Sequence, residues 1–305
     1  MGIKLLNSFL KEKCSDELYK IDFRELSGEK IVIDASIYMY KFLEKSMLIE
    51  NIYLMCMLFR HYKIIPLFVF DGKPPAEKTQ TILKRKRKKE EYITKCRELE
   101  HRINGNRDVK EQQYLQSQID NLRKRCLTIK YHDIEEIKRL LDNYGIQWVV
   151  AEGEADILCA RLVQTNQAYA CLSEDMDLLV YGCPRVLRYM SLINHNFVIY
   201  DIAKITNALD ISFHNFQIIC ILSGTDYNTS RKNVFYFYRL YRLFSLSKND
   251  DFKSWLGKKM PIQNFKNVLD IFNEKINLPL INIEFYEINK KKLKNQLTSK
   301  NFVVI

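Results

Sequence analysis

Four short, continuously apolar runs in this chain end on carboxylates or lead straight into them, and this limits the fold more than any other feature. Lys30-Ile-Val-Ile-Asp34 is the first, and Ile64-Ile-Pro-Leu-Phe-Val-Phe-Asp71 repeats it. Gln147-Trp-Val-Val150 runs into Ala-Glu-Gly-Glu-Ala-Asp156, and Tyr169-Ala-Cys-Leu172 into Ser-Glu-Asp-Met-Asp177. Runs that are apolar at every position, rather than at every second one, suit strands buried on both faces. The stretches between them have helical spacing, so a parallel α/β sheet flanked by helices is expected. In such sheets functional groups gather beyond the carboxyl ends of the strands, where all four runs carry acids.

The chemistry-bearing set is Asp34, Asp71, Glu154, Asp156, Asp175, Asp177 and, in Leu222-Ser-Gly-Thr-Asp-Tyr227, Asp226. Asp175 and Asp177 are two apart and share a face in extended chain. Glu154 and Asp156 have the same spacing where a helix is expected to begin, so they should diverge. Two carboxylates ~5 Å apart repel by roughly 3 kcal/mol at an effective dielectric of about 20. Protonation or bound cations can relieve that repulsion. Oxygen ligands without His or Cys select a hard ion, Mg²⁺ or Mn²⁺, over zinc. Two such ions ~4 Å apart can activate water and hold a phosphodiester for in-line displacement. Each acid also has a plain reading: strand-ending Asp residues cap helices and turns.

Lys and Arg outnumber Asp and Glu by 48 to 37, a net charge of +11, which fits a polyanionic partner. The densest cationic run, Lys84-Arg-Lys-Arg-Lys-Lys89, opens a segment with two helical stripes. One stripe is Tyr92, Cys96, Leu99 and Ile103; the other is Leu115, Ile119, Leu122, Cys126 and Ile129, with Asn104-Gly105-Asn106 as a turn signal between them. The expected organisation is residues 1–75 as the first half of the core and 76–130 as an inserted basic helical hairpin. Residues 131–227 are the second half, and 228–305 a helical C-terminal region with a polar, basic, loosely ordered tail. A hairpin with merely solvated charges is the alternative to a binding element.

The composition, 47% hydrophobic and 28% charged over 305 residues, excludes a disordered, collagen-like or coiled-coil chain. The eight cysteines are too widely spaced for a zinc knuckle. No apolar run approaches the ~18 residues of a membrane span, and Leu6 stands where a myristoylation signal after Gly2 needs Ser or Thr. A reduced intracellular protein with no membrane partner is expected. The basic run 84–89 points to the nucleus (a host nucleus for a viral protein), with the cytoplasm left open.

In order and spacing, six blocks resemble the flap endonuclease family, the structure-specific 5′ nucleases that include the xeroderma-pigmentosum-G-type enzymes. They are Met1-Gly-Ile-Lys4, Ile33-Asp-Ala-Ser36 with Tyr40, and Val69-Phe-Asp-Gly-Lys-Pro-Pro75, then Gly153-Glu-Ala-Asp156, Ser173-Glu-Asp-Met-Asp177 and Ile221-Leu-Ser-Gly-Thr-Asp-Tyr227. The resemblance covers roughly residues 1–227 and implies a PIN-like sheet with the hairpin as an arch. It implies Mg²⁺-dependent cleavage of branched or 5′-ended DNA in replication, repair or recombination, with flap and 5′ exonuclease activity both open. By position, Asp34, Asp71, Glu154 and Asp156 would hold a first Mg²⁺, and Asp175, Asp177 and Asp226 a second, with Mn²⁺ able to substitute. Lys78 and Arg85 would face the scissile phosphate, with Asp34, Asp71 and Asp175 counted beside them as catalytic. Tyr40 would stack on a base, Gly2 would lie near the site, and Lys84, Arg87 and Lys88 would contact DNA.

The chain departs from the family in several places. Asp156 replaces the family's Glu, and Asn228-Thr-Ser-Arg-Lys-Asn-Val-Phe-Tyr236 has no glycine where the family carries a glycine-rich hairpin that grips duplex. The interval from Tyr40 to Asp71 is short, and the tail lacks a sliding-clamp peptide. A reduced, divergent member acting as a monomer is expected. A non-catalytic nucleic-acid-binding module and a 5′ exonuclease acting on RNA are the rival readings.

Overall fold

The computed structural model describes residues 2–105, 108–247, 251–260, 265–274, 278 and 280–298. In chain order the elements are α1 (Leu6–Lys13), β1 (Leu18–Asp22), β2 (Lys30–Asp34), α2 (Ala35–Leu43), α3 (Leu48–His61), β3 (Ile65–Phe70), α4 (Thr79–Gly105) and α5 (Val109–Cys126). Then come α6 (Tyr131–Tyr144), β4 (Gln147–Val150), α7 (Ala155–Gln164), β5 (Ala170–Leu172), α8 (Asp177–Val180), β6 (Arg185–Ser191) and β7 (Asn196–Asp201). The last are α9 (Ile202–Ala208), α10 (Phe213–Leu222), α11 (Val234–Ser245), α12 (Phe252–Gly257), α13 (Phe265–Phe272) and α14 (Lys290–Thr298).

The seven strands form one sheet in the order β1-β7-β6-β5-β2-β3-β4. From β6 to β4 it is parallel, as the apolar runs require. The parallel sheet expected from the four apolar runs is present, and at its other edge two strands that the runs did not include are added, β7 antiparallel to β6 and β1 antiparallel to β7. A turn as short as that between Ser191 and Asn196 can only return the chain antiparallel. Successive residues of the central strands feed opposite faces: Val32, Leu67, Val69 and Cys171 pack with α1, α7 and α10–α13. Ile31, Ile33, Phe68, Phe70 and Leu172 pack with α2, α3, α6 and α14.

The hairpin α4–α5 stands on its own small cluster of Leu99, Leu115 and Ile119, flanked by Ile103 and Leu122. Helix α4 continues through Gly105, Asp108 caps α5 by accepting from Lys110 N at 2.9 Å, and Asn106 of the expected turn lies outside the described residues. The described part of the tail, through Thr298, is packed rather than loose as expected. Phe285 bridges Ile146, and α14 buries Leu293 and Leu297 against α6, with Gln296 donating to the Glu136 carbonyl at 3.0 Å. The long lysine stems let such a helix bury one stripe while its charges stay wet. Residues 299–305 lie outside the described residues.

Candidate active site

Strand register brings the first acids together. Asp34 pairs with Val69 on β3, so Asp71 lies just beyond it, and Ile33 pairs with Leu172, so Ser173 lies beside Asp34. Ser173 Oγ donates to Asp34 Oδ2 at 3.0 Å, while Asp34 Oδ1 caps α2 through Ile37 N at 3.3 Å. Asp71 accepts from Ser36 Oγ at 2.6 Å and from Ala155 N, the first residue of α7, at 3.0 Å. The capping role open to these acids from the sequence is therefore real, and it aims both into one pocket. Gly72 permits that approach: a Cβ there would fall 1.9 Å from the Ala151 carbonyl.

Glu154 and Asp156 diverge at the start of α7. Glu154 takes Lys78 Nζ at 2.5 Å and the Tyr227 hydroxyl. Asp156 faces Asp175 and Asp34. Asp175 folds back to accept from Asp177 N at 3.1 Å, and Asp177 faces Asp175 and Asp226. Asp226 closes the ring, with Lys78 Nζ at 3.5 Å and Arg85 Nη2 at 2.6 Å, and its carbonyl accepts from Thr81 Oγ1 at 2.6 Å. Gly2 lies against the same group, since a Cβ on it would sit 2.8 Å from both Asp175 Oδ1 and Asp177 Oδ1.

The electrostatics follow from burial and crowding. Burial, then the neighbouring Asp71, pushes Asp34 up to about 7. Burial, then Asp175, holds Asp156 and Asp177 well above the ordinary carboxylate range. Lys78 has a side chain only 11% exposed. Burial alone would lower its ammonium, but the hydrogen bond to Glu154 and the charges of Glu154, Asp226 and Asp156 outweigh that and raise it. Burial and the bond to Glu154 likewise raise Tyr227.

The donor set fits a hard divalent cation. All seven acids supply oxygen, and the buried Asp156 Oδ1 and Asp177 Oδ1 have no hydrogen-bond partner, a costly state for such atoms. The fit lies in chemistry and unmet valence rather than in a finished cage. Among the described residues no three acidic, His or Cys side chains stand close enough to hold one ion, and Glu154 and Asp226 are paired with Lys78 and Arg85.

Tyr40 is 44% exposed on α2, whereas Tyr38 on the same helix is fully buried. Lys84, Arg87 and Lys88 are exposed on α4. Within the same run Lys89 is tied to the Leu127 carbonyl at 2.8 Å and to Thr128, and Arg85 to Asp226. Sequence reasoning assigned no role to Ser36, Ser173, Thr81, Tyr227 or Tyr181, whose hydroxyl meets that of Tyr227 at 2.8 Å. For Ser36, Ser173 and Tyr227 the only local signal was position, two residues after Asp34 or next to Leu172 and Asp226, inside the acid-bearing blocks; Thr81 and Tyr181 lie outside those blocks and carried none.

The XPG N-terminal domain matches residues 1–92 and the XPG I-region residues 145–226. The chain is similar to flap endonuclease 1 of Yarrowia lipolytica, 33% identical over 253 residues, covering 77% of this chain and 65% of that relative's length. Its fold is similar to the catalytic core of Rad2 in complex with DNA substrate, with a TM-score of 0.69 at 21% identity over 96% of this chain and 93% of that one. A second similar structure is the Holliday junction-resolving enzyme GEN1 in complex with product DNA, Mg²⁺ and Mn²⁺ ions, with a TM-score of 0.55 at 15% identity, covering 96% of this chain and 63% of that one. The fold is thus the PIN-like nuclease fold with an inserted helical hairpin. With both acid-bearing regions matched, the chain belongs to the flap endonuclease/XPG family.

Proposed function

We propose that this chain is a Mg²⁺-dependent, structure-specific 5′ nuclease that hydrolyses phosphodiester bonds in branched or 5′-ended DNA. The observation that carries the reading is one pocket at the carboxyl end of the sheet, where seven acids meet a lysine and an arginine delivered by a basic helical hairpin. Asp34, Asp71, Glu154 and Asp156 would hold one divalent cation and Asp175, Asp177 and Asp226 another, with Mn²⁺ satisfying the same oxygens. Such ions, when bound, supply positive charge to the phosphate and lower the pKa of water.

The chain's own residues do the rest. Ser36 and Ser173 fix the Asp71 and Asp34 carboxylates, and Tyr227 fixes Glu154. Lys78 stays protonated in its acidic surroundings. With Arg85 it presents fixed charge where negative charge develops on the scissile phosphate. Tyr40 offers an exposed ring for base stacking. Gly2 lies beside the pocket, and Lys84, Arg87 and Lys88 supply long-range attraction for the backbone. The loop after Asp226 is braced by its own side chains, Asn228 Oδ1 accepting from Thr225 Oγ1 at 2.6 Å and Asn228 Nδ2 donating to the Ile221 carbonyl at 2.8 Å. Duplex contact there therefore falls to side chains such as Arg231 and Lys232.

The test is a cleavage panel of flap, nicked, gapped, Y-shaped and four-way DNA with Mg²⁺, using wild type and Asp175→Ala. Cleavage by wild type, lost in the variant while DNA binding remains, is expected. Cleavage of nothing at any divalent concentration would instead point to a binding module, and preference for a matched RNA 5′ end to an RNA exonuclease.

A further inference from the structure

A buried cation lies behind the acidic pocket at a place no motif marked. Arg188, on β6, is 6% exposed, and a charge so buried is costly without partners. Its Nη1 donates to Asn7 Oδ1 on α1 at 2.7 Å, and its Nη2 to the Glu174 carbonyl at 2.9 Å, while Nε has no hydrogen-bond partner and is ion-paired at 3.8 Å with Glu174 Oε2. Glu174 sits between Ser173 and Asp175, so one guanidinium grips both the first helix and the segment that carries Asp175 and Asp177.

The surroundings are built around that grip. The ladder between β6 and β7 slips between Arg188 and Ser191. Tyr189 takes a left-handed φ of 53° there, a conformation that persists only where neighbours fix it. It turns its N–H to Glu174 Oε1 at 3.0 Å, which also accepts from Lys41 Nζ at 2.9 Å. Asn7 is also engaged elsewhere, donating to the Tyr189 hydroxyl at 2.7 Å and accepting from the Tyr200 hydroxyl at 2.8 Å.

We propose that Arg188 is a positioning residue that sets α1 and residues 173–177 in a single register, and through it the places of Gly2, Asp175 and Asp177. The tolerance is small, because the start of the chain already runs as close to those two carboxylates as a glycine allows. A planar fork can hold two acceptors on separate segments at once, where an ammonium is a point charge that cannot reproduce the fork. The proposal rests on the reading of Asp175 and Asp177 as metal ligands.

The test uses full-length Arg188→Lys, which keeps the charge, and Asn7→Ala, which frees α1 while leaving Arg188 its Glu174 contacts. Each is compared with wild type for Mg²⁺ dependence of flap cleavage, Mn²⁺ affinity by calorimetry, and amide exchange of the metal-free chain. Both should raise the half-saturating Mg²⁺ and weaken Mn²⁺ about tenfold, with turnover at saturating Mg²⁺ little changed. Exchange should quicken together in residues 2–6 and 173–177. Folded variants with wild-type metal dependence, or loosening confined to the segment that was altered, would overturn the proposal. If wild type itself neither binds Mn²⁺ nor cleaves, the functional reading fails, and the exchange pattern still decides whether Arg188 couples the two segments.

Discussion

The sheet end and the hairpin base bring opposite charges to one pocket, and they are held there by different means. Asp34 and Asp71 follow from strand register inside two apolar cores, with both carboxylates fixed by hydroxyl and amide donors. Lys78 and Arg85 come from a hairpin with a small core of its own, and the contacts at its base include ion pairs to Glu154 and Asp226. The acids are thus positioned by folding itself, whereas the cations are positioned by the acids. Substitutions on the sheet side should remove the chemistry; those on the hairpin side should weaken it or alter how substrate is engaged.

The largest effect is expected from Asp34→Asn, which keeps the shape of the buried side chain and removes its charge. Cleavage should fall by at least about a thousandfold, the scale of removing a principal stabilising group. Thermal stability should hold, because the site already disfavours the charged form. Lys78→Met should cost about a hundredfold in single-turnover rate. Arg85→Met should cost less, since its side chain is 45% exposed against 11% for Lys78. If Arg85→Met proved the more damaging, the ranking by burial would be wrong.

Tyr40→Ala should weaken substrate engagement by about 1–3 kcal/mol, the worth of one stacked base, with metal dependence unchanged in a Mg²⁺ titration. Neutralising Lys84, Lys86, Arg87 and Lys88 together, while leaving the engaged Arg85 and Lys89 intact, should lower the salt slope of DNA binding by up to roughly 3.6 for duplex-like contacts. An unaltered slope would make these charges a solvated face and nothing more.

The smallest effect is on stability against pH. Asp34, raised to about 7, keeps its proton in the folded chain over an interval in which the unfolded chain has lost it. Folding takes up a proton there, so metal-free stability should fall as pH rises from the ordinary carboxylate range to about 7, and stay low above it. A cation favours the ionised form, so the melting-temperature gain from Mg²⁺ should be larger above pH 7 than below it. Melts showing the reverse would mean the acids are not crowded in the way described.

The sequence revealed what is local and periodic. The four apolar runs became β2 to β5, and the two stripes of the hairpin became the facing sides of α4 and α5, except for Ile129, which lies beyond the end of α5 and packs against the main core. It did not reveal β6, where Arg185 and Arg188 interrupt the apolar pattern although Arg188 is buried, because a charged residue reads as solvent-facing until its partners are known. Nor could it reveal that Ser173 meets Asp34 or that Tyr227 meets Glu154, pairs separated by 139 and 73 residues. The tail was misjudged because Leu293 and Leu297, one helical turn apart, are a faint signal beside the four lysines in residues 290–294. The convergence of the acids was legible; the diversion of Glu154 and Asp226 onto Lys78 and Arg85 was not, since it depends on where the hairpin lands.

The central claim, that these acids act together by holding divalent cations, is tested most directly by single-turnover cleavage of a 5′-flap DNA as Mg²⁺ is titrated. The account predicts no cleavage in EDTA, recovery on adding Mg²⁺ back, and a steep rise consistent with more than one ion. Cleavage that persists undiminished in EDTA would contradict it.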